Sequence, residues 1–349
     1  MNSRAGGSSV DQSFTSVTGL GSPMTVRSAA TLVMRWGSRV GMATPPGSLC
    51  STGPPGCVHP LQGDICPWRN AALGDFVVDT AIEGADGHYR ARLSRDWEIW
   101  GPNGGYVAAI GLRAAGAATG LRRPATFAGH FLGVAEFDLV DVRVTTVRAT
   151  KRAESLRVSI MQKGRPIFEA ILWVIGDVDG LEHDVATMPP VPLPSQLKSM
   201  EELVPPQALQ QRFRFWENLE CRPIAWVPWE QRTPGAPAWC EWYRFRPRAT
   251  CDDPFADAAR SLLLIDTMGW PAACRAHRRD NGYVAPSLDV NAQFHHLAPE
   301  CEWLLVDAVA PVAAHGLIGG QARVWSVDGK LLASGGGQLL CRPAPAPQR

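Results

Sequence analysis

The chain has 349 residues, 45% of them hydrophobic, and a formal net charge of +1; its mean hydropathy is −0.08. That is enough apolar material for a sizeable core in about two domains, and the near-neutral charge offers no basic footprint for nucleic acid. No apolar run approaches the roughly 18–20 residues that span a bilayer.

Residues 1–74 are rich in Gly, Ser, Pro and Thr, and Asp11 is their only acid before Asp64. The acid-poor start, Met1–Gly41, has the composition of a transit peptide and lacks the apolar stretch of a secretory signal. The expectation is a disordered extension outside the core, because so little apolar surface does not offset the entropy of ordering it. Nine cysteines are irregularly spaced with no CxxC pair, so neither a zinc site nor a redox motif is indicated. Free thiols in a reducing cytoplasm are expected, with no metal and no cofactor.

From Gly74 the chain reads the same way twice. The first pass opens on an alternating strand, His88–Leu93. Trp100-Gly101-Pro102-Asn103-Gly104-Gly105-Tyr106 then starts a helix that runs through an Ala-rich stretch to Thr119. Strands are expected over Thr126–Gly133, Phe137–Thr150, Glu154–Gln162 and Pro166–Ile175, with Lys163-Gly164 as a hairpin turn. A Pro-rich stretch, 185–238, reads as a linker. The second pass begins with a strand at Trp239–Phe245, followed by a helix from about Pro254 to Met268 that Gly269-Trp270-Pro271 should break or kink. Strands should follow at Ser287–His296, Glu302–Pro311, Ile318–Val327 and Leu331–Arg342, with Asp328-Gly329 as the turn.

The two turns fix an offset. Gly164 and Gly329 lie 165 residues apart, and at that spacing Ile167 meets Leu332, Val144 meets Val309 and His130 meets His295. Strand, long helix and four antiparallel strands describe a sheet wrapped round one helix. Two such units, 75–184 and 239–345, would join into one α+β sheet with two helices on its inner face.

No single motif names a chemistry: there is no GxSxG elbow, P-loop, HExxH or dinucleotide GxGxxG. Asp266, however, follows Leu262-Leu263-Leu264-Ile265 and shares a helical face with Leu262 and Leu263. Two readings stand side by side. A carboxylate at a buried crevice has a raised pKa suited to a general base; alternatively, Asp266 caps the segment opened by Pro271 or points to solvent. Ser287, Asp289, Asn291 and Gln293 alternate with apolar residues and read as one polar strand face. Gln338 follows Gly335-Gly336-Gly337, three glycines that weaken a strand unless something approaches its backbone closely.

These residues carry a resemblance. Trp100–Tyr106 is similar to the first helix start of thioesterase-like superfamily proteins. Leu264-Ile265-Asp266 with Pro271, Ser287-Leu288-Asp289 with Phe294-His295, Glu302–Leu305, and Asp328-Gly329 with Ala333-Ser334 and Gln338 resemble the second half of bacterial type II acyl-CoA thioesterases. The likeness covers roughly residues 75–343. It implies a double hotdog fold and a triad of Asp266, Ser287 and Gln338 that polarises a water for attack on a thioester, with Ser287 in place of the commoner Thr. It also implies Asn103, Gly104, Gly105 and Tyr106 as substrate-binding residues at the first helix start, where N–H groups receive an oxyanion. An acyl-CoA partner follows, with a homo-oligomer allowed. Two rivals remain: a non-catalytic acyl-CoA or acyl-carrier binding protein, and a hotdog hydratase or dehydratase using His130, His295 or His296.

Overall fold

The structure, a computed structural model, describes residues 73–210, 212–278 and 281–344. The expected extension 1–74 lies outside the described residues except for Leu73 and Gly74. Asp75 caps a short helix, α1 (Phe76–Asp79), by accepting from the Val77 and Val78 amides. A hairpin follows, β1 (Glu83–Ala85) and β2 (His88–Arg92), turned by Asp86 and Gly87, both at positive φ, the backbone that a tight hairpin turn demands.

The first long helix is α2 (Gly104–Ala117), capped by Asn103, whose side chain accepts from the Tyr106 amide. Then come β3 (Arg123–Phe131), β4 (Leu139–Ala149), β5 (Ala153–Gln162) and β6 (Arg165–Ile175). The expected Lys163-Gly164 turn is there, with φ of 51° and 74°. Residues 185–238, read from the sequence as a linker, also carry α3 (Met200–Leu203), α4 (Pro206–Leu209) and an edge strand, β7 (Leu219–Pro223). The second pass consists of β8 (Ala238–Phe245), α5 (Pro254–Cys274), β9 (Tyr283–Val284), β10 (Asp289–Phe294), β11 (Leu304–Ala314), β12 (Leu317–Ser326), β13 (Leu331–Leu340) and β14 (Arg342–Pro343).

Twelve strands form one antiparallel sheet in the order β1-β2-β4-β5-β6-β3-β10-β13-β12-β11-β8-β7, and β14 pairs with β9 separately. The two halves join through β3 and β10, where Phe127 faces Ala292. Those residues stand 165 residues apart, the offset of the repeat, so each half meets its own counterpart across a local twofold. Both helices lie on one face, packed on each other. Between them and the sheet sit Phe127, Leu156, Val158, Ile160, Phe168, Leu262, Leu263 and Val324, all nearly inaccessible. On the opposite face of the second half, Met188, Val191 and Leu197 cover Trp242, Leu305 and Trp325. No helix among the described residues is long and apolar enough to cross a membrane.

One helix end departs from expectation. Instead of stopping near Met268, α5 continues through Pro271 to Cys274. Proline removes one ladder bond, but Met268, Ala272 and Ala273 are buried in the core, and that burial offsets the loss. The Thr267 hydroxyl donates to the Leu263 carbonyl at 2.8 Å, a back-bond of the kind that eases a bend.

Candidate active site

Asp266 sits at the middle of α5, directly after four buried aliphatic residues. Helix α2 crosses it with its N-terminus, and two glycines make the crossing close. A Cβ at Gly105 would stand 2.7 Å from Leu263 Cα and 3.1 Å from Asp266 Cβ, and one at Gly104 would stand 2.9 Å from Asp266 Oδ2. Asn103 fastens the contact: its Oδ1 accepts from Tyr106 N at 2.9 Å while its Nδ2 donates to Thr267 Oγ1 at 3.2 Å. The first amides of a helix have no partner within it. Gly104 and Gly105 therefore present N–H groups, and the positive end of the helix, to the Asp266 carboxylate.

Asp266 is partly buried, and its Oδ1 is sealed from solvent with no hydrogen-bond partner. Burial pushes its pKa up to about 6; the Ser287 hydroxyl and the Gly105 amide act in the opposite direction, and the negative charge of Asp289 adds to the rise. Such a group is half ionised near pH 6 and is a carboxylate able to take a proton at neutral pH.

Ser287 reaches this carboxylate because of an irregularity. It bridges Leu339, whereas Asn291 faces Gly336: four steps on one strand oppose three on the other. One extra residue before β10 is a bulge, which re-aims the side chain beyond it. Leu339 is buried, with its Cδ1 3.3 Å from where a Gly269 Cβ would stand, so this is the helix side. The expectation of one polar face from Ser287 to Gln293 is thus corrected. Asn291 and Gln293 are exposed, while Ser287 turns to α5.

The structure separates Gln338 from the other two. It precedes Leu339 on β13 and is exposed. Its Nε2 lies beside Gly319, 3.5 Å from a Cβ built there, while the neighbouring Gly320 faces Gly269 of α5. Alternation therefore puts Gln338 on the outer face of the sheet, away from Asp266. Gln338→Ala should consequently leave kcat within about twofold and stability within about 0.5 kcal/mol, as for ordinary exposed positions; steady-state kinetics and thermal unfolding check both.

Tyr106 is also corrected. It is fully buried, stacks on Trp97 at 5.7 Å, donates to Asp79 O at 2.8 Å and accepts from Ser94 N at 3.0 Å. It is a core residue. His130 alternates with buried Gly129 and half-buried Phe131 and is exposed. His295 Nε2 contacts Ser334 Oγ at 2.8 Å, and His296 pairs with Asp184 at 3.3 Å. Both lie at the far end of β10 from Ser287, some eight residues or roughly 26 Å along a strand.

Sequence reading missed an apolar rim. Trp270 is one turn beyond Asp266, and its ring meets Trp100 edge-on at 6.2 Å, while Trp100 meets Phe213 at 6.4 Å. Trp100, Leu132, Val134 and Leu288 are all exposed, and Leu288 O accepts from Phe131 N at 2.9 Å. The available signal was spacing: Trp100 precedes the Asn103 cap by three residues, and Trp270 follows Asp266 by four.

Known proteins share this build. Residues 93–175 match the acyl-CoA thioesterase N-terminal domain and residues 194–338 the acyl-CoA thioesterase C-terminal domain. Acyl-CoA thioesterase II TesB2 from Mycobacterium marinum is 21% identical, over 77% of this chain and 99% of that one, with a TM-score of 0.63. The tesB protein of Mycobacterium avium subspecies paratuberculosis is 20% identical over 78% and 100%, with a TM-score of 0.61. A conserved hot dog protein of unknown function from Alicyclobacillus acidocaldarius is 21% identical over 78% and 100%, at 0.64.

Proposed function

Because the chain belongs to the acyl-CoA thioesterase family and folds as a double hotdog, we propose that it hydrolyses a fatty acyl-CoA to the free acid and CoA, with Asp266 as general base. The observation that carries this reading is a carboxylate with a raised pKa within reach of the Ser287 hydroxyl, set against the N-terminus of α2. Asp266 accepts a proton from a water, which attacks the thioester carbonyl. The Ser287 hydroxyl orients that water. The Gly104 amide, at the start of α2, offers a hydrogen bond to the carbonyl oxygen as charge develops on it. Collapse of the adduct expels the CoA thiolate, which takes up a proton, so no covalent acyl-enzyme forms.

The apolar rim supports a hydrophobic acyl group. Trp100→Ala should raise KM for long-chain acyl-CoA about tenfold, which equals about 1.4 kcal/mol of binding, and should hardly change KM for acetyl-CoA. Free-thiol release across short, medium and long acyl-CoAs tests the function and this preference together. The outward position of Gln338 is the one observation favouring the alternative, a protein that binds acyl-CoA without turning it over; absence of thiol release from every chain length would select it.

A further inference from the structure

The bulge before β10 leaves a question of satisfaction. An extra residue in one strand breaks the ladder and exposes a backbone group on its partner. Here the group is the Gln338 amide, and the Asp289 carboxylate accepts it at 2.9 Å. Leu288 N donates to the carbonyl of the same Gln338 at 2.7 Å, and Leu340 N donates to Pro286 O at 2.9 Å. The turn that aims Ser287 at α5 is thus pinned to β13 on both sides of the bulge, with one pin made by a side chain. A second observation is independent. A Cβ at Gly337 would collide with the Asp289 carbonyl oxygen and stand 3.4 Å from Val290 Cα. The third glycine before Gln338 is a notch that admits the Asp289 backbone.

We propose that Asp289 is a positioning residue of the site: its carboxylate clamps the bulge that presents Ser287 to Asp266, and Gly337 makes room for the clamp. The inference rests on the thioesterase reading for its kinetic consequence, though not for the clamp itself. Asp289 touches no reacting atom and acts through Ser287. It also places a negative charge near Asp266, where burial already disfavours ionisation and the Ser287 hydroxyl and Gly105 amide favour it. His130 faces Asp289 across β3.

The test uses the full chain, decanoyl-CoA as substrate, and amide hydrogen exchange at Gln338. Asp289→Ala removes the acceptor; Asp289→Asn keeps an oxygen there and removes the charge. In wild type and Asp289→Asn the Gln338 amide should exchange slowly, and in Asp289→Ala fast. Asp289→Ala should lower kcat by up to about 10²-fold, the cost of misplacing a reacting group by about 1 Å, with KM within twofold. Asp289→Asn should recover most of that loss and move the acid limb of the pH profile downward, since a like charge beside Asp266 has gone. An Asp289→Ala protein with a protected Gln338 amide or wild-type kcat overturns the proposal, as does an Asp289→Asn protein that loses as much as Asp289→Ala. A wild-type chain that releases no thiol contradicts the proposed function instead, and the exchange measurement still decides the clamp.

Discussion

Asp266→Asn lowers kcat for acyl-CoA hydrolysis by about 10²–10⁴-fold, the usual contribution of a general base, and at the same time makes the protein more stable above pH 6. The first half follows from chemistry: asparagine fills the same space but takes no proton. The second follows from burial. The folded state raises the Asp266 pKa to about 6, so the fold favours the protonated form. As pH rises from about 4, the unfolded chain loses this proton first, and the cost of holding the charge inside grows until the folded pKa is passed. A shift of about two units corresponds to at most about 3 kcal/mol, and partial exposure reduces it to about 1–2 kcal/mol. Thermal unfolding of both proteins should show the variant ahead at pH 8 and the difference closing towards pH 4. Ser287→Ala should cost less, since it orients the water without accepting its proton, and the double variant should lose less than the product of the two factors.

Gly105→Ala unfolds at a temperature roughly 2–12 °C below wild type and loses most activity. A methyl at this position meets Leu263 Cα at 2.7 Å and Leu263 O at 2.9 Å. Both obstacles are backbone, so no rotamer change relieves them and α2 must shift off α5. Overpacking of this kind costs about 1–3 kcal/mol, and each kcal/mol lowers Tm by about 2–4 °C for a domain of this size. The same shift carries the helix end away from Asp266, which by itself is worth about 10²-fold in rate. Gly120→Ala is the control. A Cβ there meets nothing within 4 Å, and its Tm and kcat should match wild type. Differential scanning calorimetry with steady-state kinetics on the three proteins reads both effects.

The fold was largely legible because its signals are local. The Lys163-Gly164 turn, the helix start at Trp100–Tyr106 and the period-two strands each depend on a few neighbouring residues, and the 165-residue offset reappears physically in the Phe127–Ala292 pair. Asp266 was legible as a carboxylate behind four aliphatic residues on a helix. What was not legible depends on register. Whether Ser287 faces the helices is decided by a bulge, and one inserted residue reverses the face of everything beyond it. Simple alternation grouped Ser287 with Asn291, whereas the bulge separates them; Gln338, one residue before buried Leu339, falls on the outside. Tyr106 looked like a site residue by its place in a glycine-rich helix start, yet its hydroxyl lies between Asp79 and Ser94, partners far enough away in sequence to be invisible there. The continuation of α5 past Pro271 is likewise tertiary, set by burial of the last turn.

The most direct measurement is the pH dependence of kcat/KM for decanoyl-CoA, from pH 4.5 to 8.5, in wild type and Asp266→Asn. With Asp266 as the base, the wild-type rate rises with a single ionisation near pH 6, falling about tenfold per unit below it, and the variant's residual rate shows no such step. A wild-type profile that is flat through pH 6, or the same step retained in Asp266→Asn, contradicts the account.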